Sequence, residues 1–243
     1  MTETTVTKEQ VTWEPLPDDF KLPDEPVENL EHPTLVGDLT ELLRVTGLLT
    51  ESAIVASNFG ICAKVGKKTI VKAPDWVYIP FARPAAKGKV RKSYTPHLEG
   101  DIPSVVMEFL SDTDNGEYNA DFGGKWWFYE KILQVPRYAI FEPTSGRLEV
   151  YQLKTSGKYS PQIPDSNGRY WIPGLNLFLG VWFGTEKERT GYFLRWWDDG
   201  GNMLLWWSEK SEQERQQAEQ ERQRSERLAA RLRELGIDPD ELS

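Results

Sequence analysis

The sequence predicts an α/β (α+β) protein that ends in a charged helix. Between residues 52 and 110, short β-branched or aromatic runs are separated by Gly and Pro, which is typical of β-strands. Leucines at helical spacing precede this region, and a second helical segment and further strands follow it. From Ser208 to Leu235, seven acidic and seven basic residues occupy one helical segment.

The expected elements follow the hydrophobic pattern in chain order. The first helix runs from Leu35 to Gly47, just after Pro33. Strands are predicted at 53–57, 61–65, 69–72, 76–81 and 104–110, a helix at 121–134, and two further strands at 138–142 and 148–153. A hairpin is predicted over residues 192–207, with its turn at 198–201.

Charge and composition divide the 243 residues into four predicted parts. These are an acidic, Pro-rich arm (1–30), a core (31–185), a Trp-rich hairpin (186–207) and the charged helix (208–243). Nine acidic and two basic residues lie in residues 1–34, within a chain whose net charge is −9. The remainder is therefore nearly neutral, and the total charge does not exclude a nucleic-acid partner.

Cysteine and histidine usage excludes several classes of site. Cys62 is the single cysteine, so an intrachain disulfide and a Cys-based zinc site are excluded, and a reducing compartment is expected. His32 and His97 are the two histidines, which disfavours a His-based metal site or a Ser-His triad. We expect a soluble cytoplasmic protein with no membrane contact, because the N-terminus lacks a signal-peptide pattern and the most apolar run, 175–184, is much shorter than the ~20 residues that span a bilayer.

Glu108 is an acidic residue within an apolar strand. In the predicted strand 104–110, alternate residues on both faces are otherwise apolar, which is typical of a central strand buried on both sides. A buried carboxylate needs a cation, several hydrogen bonds or a metal to compensate its lost hydration. A buried salt bridge, or a position at the strand end that reaches water, is the alternative to a functional role.

Asp75 and Lys125 are the other candidates for chemistry. Asp75 opens the apolar run 76–81, and with Glu108 it would supply the minimal carboxylate ligands for Mg²⁺ or Mn²⁺. Lys125 follows Gly123 and Gly124 and could orient a metal-bound water or stabilise charge on a phosphate. The alternatives are a turn residue for Asp75 and an ordinary Asp121–Lys125 surface pair for the lysine.

Four motifs in this order resemble the Uma2 family of proposed endonucleases, within the restriction-endonuclease-like, PD-(D/E)XK superfamily. They are Pro74-Asp75, then VMEFLS (106–111), then Asp121-x-x-x-Lys125-x-x-x-Tyr129, then VPRYAIFEP (135–143). The resemblance covers roughly residues 30–185, and the tail 227–242 looks like the C-terminal helix of many cyanobacterial members.

The resemblance implies a restriction-endonuclease-like core, a mixed β-sheet flanked by helices, with Asp75 and Glu108 as metal ligands and Lys125 as the catalytic lysine. Leu110 stands where the superfamily motif usually has lysine, which leaves that role to Lys125. Many superfamily members add an acidic residue from the first helix. Glu28, Glu31 and Asp121 are possible accessory residues, and His32 lies nearby.

The stretch after the Asp75 strand is basic and is a candidate DNA contact. Its cations are Arg83, Lys87, Lys89, Arg91 and Lys92, which would neutralise phosphates if they faced the site and would otherwise form a solvated loop. The three Trp-Trp pairs favour packing over base stacking, and the hairpin is a possible surface for a homodimer.

Three functional hypotheses follow from these residues. The first is a DNA endonuclease that uses Mg²⁺ or Mn²⁺ to activate water. The second is a catalytically inactive scaffold of the same fold that binds nucleic acid or protein. The third is a phosphodiesterase acting on a small nucleotide rather than on a polymer.

Overall fold

A computed structural model describes residues 11–14, 31–85, 90–110 and 116–234, with Glu31 described for its backbone alone. The chain divides into two compact units, residues 1–204 and residues 205–243. The described strands lie in the first unit, and the described part of the second is helical. Within these ranges, no helix combines the length and the apolar character needed to cross a membrane.

The described elements are thirteen strands and four helical segments. The strands are β1 (Val11–Thr12), β2 (Ile54–Ala56), β3 (Gly60–Val65), β4 (Lys68–Lys72), β5 (Trp76–Ile79), β6 (Ser93–Tyr94), β7 (Val105–Phe109), β8 (Arg137–Glu142), β9 (Arg147–Leu153), β10 (Tyr159–Pro161), β11 (Tyr170–Ile172), β12 (Leu177–Glu186) and β13 (Arg189–Trp197). The helices are α1 (Glu31–Val45), α2 (Lys125–Trp127), a π-helical segment (Phe128–Leu133) and α3 (Trp207–Glu234).

The largest sheet has six strands in the order β10-β9-β8-β7-β5-β2. It is mixed, because β7 and β8 run parallel while the other neighbours are antiparallel. A second sheet contains β1, β3, β4 and β6, and a third has the order β11-β12-β13. The predicted α+β class, with a mixed sheet and flanking helices, is confirmed.

β7 is a central strand of the main sheet. It lies between β5 and β8, and each of its five residues is buried. The register places Met107 opposite Trp76 and Glu108 opposite Ile140. The apolar residues on both faces of the predicted strand are therefore explained by burial on both sides, and Glu108 lies inside the sheet.

α1 begins at Glu31, earlier than the sequence pattern predicts, because Pro33 is compatible with a first helical turn. Its apolar face is buried through Leu35, Leu39 and Leu42. The indole N–H of Trp76 donates to Thr40 Oγ1 at 2.9 Å, and that of Trp196 donates to the Leu39 carbonyl at 3.2 Å. These bonds fix α1 beside the strand that follows Asp75.

The second predicted helix, 121–134, differs from the structure. Residues 121–124 form a turn, α2 begins at Lys125, and the helix continues as the π-helical segment to Leu133. Gln134 then adopts a left-handed conformation with φ 54°, two residues before Pro136. The turn places Lys125 at the first position of the helix rather than one turn inside it.

The predicted hairpin at 192–207 is present only next to its turn. β13 pairs along its whole length with β12, and after the turn at 198–201 the chain returns through a bridge between Trp197 and Met203, where the Leu204 N–H donates to the Trp196 carbonyl at 2.8 Å. The predicted boundary between residues 185 and 186 therefore falls within β12. The sequence favoured the later turn because Asp-Asp-Gly-Gly is a strong turn signal.

α3 is an exposed helix of 28 residues. The backbone N–H of Trp206 donates to Glu209 Oε2 at 2.9 Å, which satisfies a free donor at the helix start. Its ion pairs join residues one turn apart, such as Arg215 with Glu212 and Arg231 with Glu234. The predicted charged helix at 208–235 is present over the residues described.

Candidate active site

Two neighbouring strands bring Asp75 and Glu108 together. Asp75 lies just before β5, and Glu108 is the fourth residue of β7, which pairs with β5. The backbone N–H of Phe109 donates to Asp75 Oδ2 at 2.6 Å, and the N–H of Asp75 lies 3.4 Å from Glu108 Oε2. The antiparallel ladder thus places the two predicted carboxylates side by side.

Lys125 reaches this carboxylate pair from the start of α2. Its Nζ lies 3.2 Å from Glu108 Oε2 and 3.5 Å from Glu117 Oε1. Lys125 is 8% exposed, Glu117 is 2% exposed and Glu108 is fully buried. The lysine is therefore the counter-ion of two buried carboxylates, and we refer to Asp75, Glu108, Glu117 and Lys125 as the acid–lysine cluster.

Tyr129 completes the hydrogen bonding of Glu108. It lies four residues after Lys125 in the π-helical segment, and its hydroxyl donates to Glu108 Oε1 at 2.9 Å. Tyr138 on β8 donates to the backbone carbonyl of Glu117 at 2.9 Å, which fixes the segment that carries this acid. Both oxygens of Glu108 therefore have a protein donor.

The acid–lysine cluster holds three carboxyl groups and one ammonium, of which Glu108, Glu117 and Lys125 are buried and Asp75 is half-buried. Burial raises the pKa of Glu108 to about 8, and the negative charge of Asp75 adds to this, while Lys125 and Tyr129 oppose it. Burial also raises the pKa of Asp75, against the opposing effects of the Phe109 N–H, Lys125 and His32. Burial alone would lower the pKa of Lys125, but the surrounding carboxylates raise it above its ordinary value. Burial and the charge of Asp75 therefore favour the protonated form of Glu108 more strongly than Lys125 and Tyr129 favour the ionised form.

Of the three candidates near the first helix, His32 is the one whose side chain the structure places. It is 4% exposed, and its ring lies 5.9 Å from that of Phe109, whose N–H binds Asp75. Its Nε2 is buried, and none of the described residues forms a hydrogen bond with it. Glu28 and the side chain of Glu31 lie outside the described residues, so their accessory role stays a prediction.

Asp121 and the two glycines are arranged differently from the prediction. Asp121 is exposed in the turn before α2, whereas the ion pairs of Lys125 go to Glu108 and Glu117. Gly124 is required for packing, because a Cβ there would overlap the backbone of Asn119. Gly123 has φ 86° and faces open space. Lys125 therefore pairs with Glu108 and Glu117, and the alternative of an Asp121–Lys125 surface pair is not observed among the described contacts.

The basic stretch binds its own backbone. Arg91 lies 3.0 Å from Glu99 and donates to the Arg83 carbonyl at 2.6 Å, and Arg83 donates to the Leu98 carbonyl at 2.5 Å. Lys92 is exposed, while Lys87 and Lys89 lie outside the described residues. DNA contact by this stretch stays a prediction, and the described arginines have a structural use.

A half-buried and a fully buried carboxylate therefore lie beside a lysine on adjacent strands of a mixed sheet. Residues 13–185, more than half of the chain, match the family model described as "Uma2: Putative restriction endonuclease". The chain therefore belongs to the Uma2 family. Among proteins of curated function, none matches this sequence. The cyanobacterial type, the cytoplasmic location and the homodimer stay predictions.

The donor set of the site fits a hard divalent cation. In the described part of the chain, no three His, Cys, Asp or Glu side chains form a metal-binding group. Mg²⁺, however, is commonly held by one or two carboxylates, with water and substrate phosphate as further ligands. Asp75 and Glu108 supply two carboxylates; burial and the charge of Asp75 raise the pKa of Glu108, and a bound cation would oppose both effects.

Glu117 and Tyr129 are site residues that the sequence interpretation missed. Tyr129 stands at the end of the motif Asp121-x-x-x-Lys125-x-x-x-Tyr129, and its four-residue spacing from Lys125 was a usable signal, because such residues share a helix face. Glu117 lies in an irregular segment, where no periodicity indicates the direction of a side chain. Its role becomes visible only from the contact with Lys125.

Proposed function

We propose that this protein is a metal-dependent endonuclease that hydrolyses phosphodiester bonds in DNA. The observation that carries the proposal is the position of Lys125 Nζ, 3.2 Å from a fully buried Glu108 that adjoins Asp75. A structural ion pair would need one acid and one base, whereas three carboxyl groups among the described residues act on Lys125. Such an excess of buried carboxyl groups is typical of a site that receives a cation.

Each residue of the acid–lysine cluster has a proposed role. Asp75 and Glu108 would hold Mg²⁺ or Mn²⁺, and the bound ion would polarise the phosphate and lower the pKa of the attacking water. Lys125 would stabilise the negative charge that develops on the phosphate, and Glu117 would hold the lysine in place. Glu108 must lose its proton before it can act as a ligand, so we expect metal affinity to increase as the pH rises towards 8.

Nicking of supercoiled plasmid tests the proposal. The purified protein is incubated with Mn²⁺ or with EDTA, beside the variants Asp75→Asn, Glu108→Gln and Lys125→Met. Glu142→Gln is the matched control, because Glu142 ends the neighbouring strand β8 and binds Ser145 and Arg147 outside the cluster. Circular dichroism checks that every variant is folded.

We expect nicking by the wild type and by Glu142→Gln in Mn²⁺ only, and a loss of at least about a hundredfold in each cluster variant. Nicking that persists in the three cluster variants would place the site elsewhere. The second candidate function is a scaffold that does not cut, which is favoured by the protein donors already bound to both Glu108 oxygens. Absence of both cutting and metal binding in the wild type would support that candidate.

A further inference from the structure

The strand β4 is a basic edge of the second sheet. It pairs with β3 on one side, and none of the described strands pairs with its other side. Residues 52–74 contain four lysines and no acidic residue. One of these lysines, Lys64, lies 2.7 Å from Glu14, whereas the other three form no ion pair with any of the described residues. We refer to these three as the β4 lysines, which are Lys67, Lys68 and Lys72.

The β4 lysines form a row along the strand. Lys67 and Lys68 are exposed, and Lys72 is half-buried. Lys68 and Lys72 lie on one face of β4, because side chains alternate along a strand, and Ile70 between them packs against the hydrophobic core. At about 3.3 Å per residue, the Cα atoms of Lys68 and Lys72 are about 13 Å apart. This distance is close to four nucleotides of one DNA strand at about 3.4 Å each, so the row can follow a phosphate backbone.

Both ends of β4 lie close to segments of the acid–lysine cluster. Lys72 precedes Asp75 by three residues, so their Cα atoms are at most about 11 Å apart. At the other end of the strand, Lys68 Nζ lies 5.6 Å from the centroid of the Phe122 ring. Phe122 precedes Lys125 by three residues, which sets the same limit of about 11 Å. The β4 lysines therefore lie beside the segments that carry Asp75 and Lys125.

Charge complementarity selects a polyanion as the partner of this edge. Double-stranded DNA carries one negative charge per about 1.7 Å of helix axis, and lysines that neutralise its phosphates release condensed counter-ions. The arginines described in the basic stretch are already engaged, since Arg83 donates to the Leu98 carbonyl and Arg91 pairs with Glu99. The β4 lysines are thus better placed to meet phosphates than the stretch that the sequence favoured.

We propose that the edge strand β4 binds the phosphate backbone of DNA and directs one strand towards the acid–lysine cluster. The proposal rests on the proposed nuclease function and adds the surface that holds the substrate. Phosphate contacts position a protein on DNA without reading its sequence, so this surface supplies affinity and orientation rather than sequence specificity.

The test measures binding in EDTA, so that affinity is separated from metal-dependent cleavage. Fluorescence anisotropy follows a labelled DNA duplex of about 20 base pairs between 50 and 200 mM salt, the range over which phosphate contacts change affinity strongly. The test variant combines Lys68→Gln with Lys72→Gln. The matched control combines Lys154→Gln with Lys158→Gln, because these lysines are also exposed and four residues apart, in the turn between β9 and β10. Circular dichroism checks that both variants are folded.

We expect the wild type to bind the duplex with an affinity that falls as salt rises. The test variant should bind at least about tenfold more weakly at 0.1 M salt, and the slope of log K against log salt should decrease by about two. The control should stay within about twofold of the wild type, although it loses the same charge.

Three results would overturn the proposal. They are no DNA binding by the wild type at 50 mM salt, an unchanged affinity of the test variant, and equal losses in the test variant and the control. Any of these results counts against the surface even if plasmid nicking requires Asp75 and Glu108. Binding that depends on the β4 lysines, without nicking in Mn²⁺, would instead remove the nuclease function and leave β4 as a DNA-binding surface.

Discussion

Acidic and basic side chains meet in two contrasting regions of this protein, the acid–lysine cluster of the first unit and the helix α3 of the second. On α3, pairs such as Arg215 with Glu212 lie one turn apart and are largely exposed. In the cluster, Lys125 faces Glu108 and Glu117 in a site with almost no solvent contact. The same residue types therefore form exposed ion pairs on α3 and a buried cluster in the first unit, and the two regions differ in burial.

Hydration explains the contrast. An exposed pair exchanges water contacts for a protein contact of similar strength, so it contributes little to folding. A buried group that loses its partner retains the full cost of its lost hydration. The cluster combines this cost with an excess of acids, which shifts the pKa of Glu108 to about 8 and leaves it ready to exchange a proton for a cation.

The largest effect is expected from Lys125→Met. This change removes the buried ammonium that lies 3.2 Å from Glu108 and 3.5 Å from Glu117, and we expect the free energy of unfolding to fall by about 3–5 kcal/mol. Lys131→Met is the matched control, because Lys131 binds Glu130 in the same π-helical segment but is 39% exposed, and it should cost about 0–1 kcal/mol. Urea unfolding followed by Trp fluorescence measures both. Equal losses would show that Lys125 does not compensate the buried acids.

The pH dependence of stability should come next in size. In the folded protein the pKa of Glu108 is about 8, above the ordinary 4.5, so the folded state binds its proton more tightly than the unfolded state does. The resulting stabilisation is complete below about pH 4.5 and is lost as the pH rises through about 8. The melting temperature of the metal-free protein should therefore decrease between about pH 5 and pH 9, as measured by differential scanning calorimetry in EDTA.

Glu108→Gln is the control for this titration. The amide keeps the shape of the side chain and has no proton to lose in this range, so the decline with pH should largely disappear. Burial raises the pKa of Asp75 as well, so a smaller decline in the same direction should remain. A wild-type slope that is unchanged in Glu108→Gln would assign the titration to other groups.

The fold could be predicted wherever residues on a strand or helix bury a regular pattern. The apolar strand around Glu108 predicted β7, and leucine spacing predicted α1. The sequence pattern was misleading at the second helix. The turn and the π-helical geometry around Lys125 depend on contacts with Asn119 and Glu108, and both residues lie outside the predicted helix. The strong turn signal at 198–201 similarly hid the longer pairing of β12 with β13.

The candidate site could be predicted only in part. The strand positions of Asp75 and Glu108 follow from alternation, and their proximity depends on the pairing of β5 with β7. The role of Glu117 could not be predicted, because it depends on how an irregular segment folds back onto the sheet. Local periodicity specifies the direction of side chains within an element, and tertiary packing specifies which loops meet.

Tyr129→Phe should have an intermediate effect. It removes the hydroxyl that donates to Glu108 Oε1 at 2.9 Å, while the ring and its packing against Tyr138 remain. Because a buried acceptor then lacks its donor, we expect a loss of about 1–3 kcal/mol in unfolding free energy. An unfolding free energy equal to that of the wild type would show that stability does not depend on this donor. Tyr118→Phe is the control, since that hydroxyl binds Glu149 at an exposed position.

The smallest effect is expected on α3, where Arg215→Ala removes an exposed partner of Glu212. Water replaces the lost contact on both sides, and Ala has the higher intrinsic helix propensity, so the two changes oppose each other. We expect the melting temperature to stay within experimental error at low and at high salt, in contrast to Lys125→Met. A clear loss at low salt that disappears at high salt would mean that Arg215 belongs to a cooperative charge network on α3. The distinction between the two regions would then depend on how charges are connected as well as on burial.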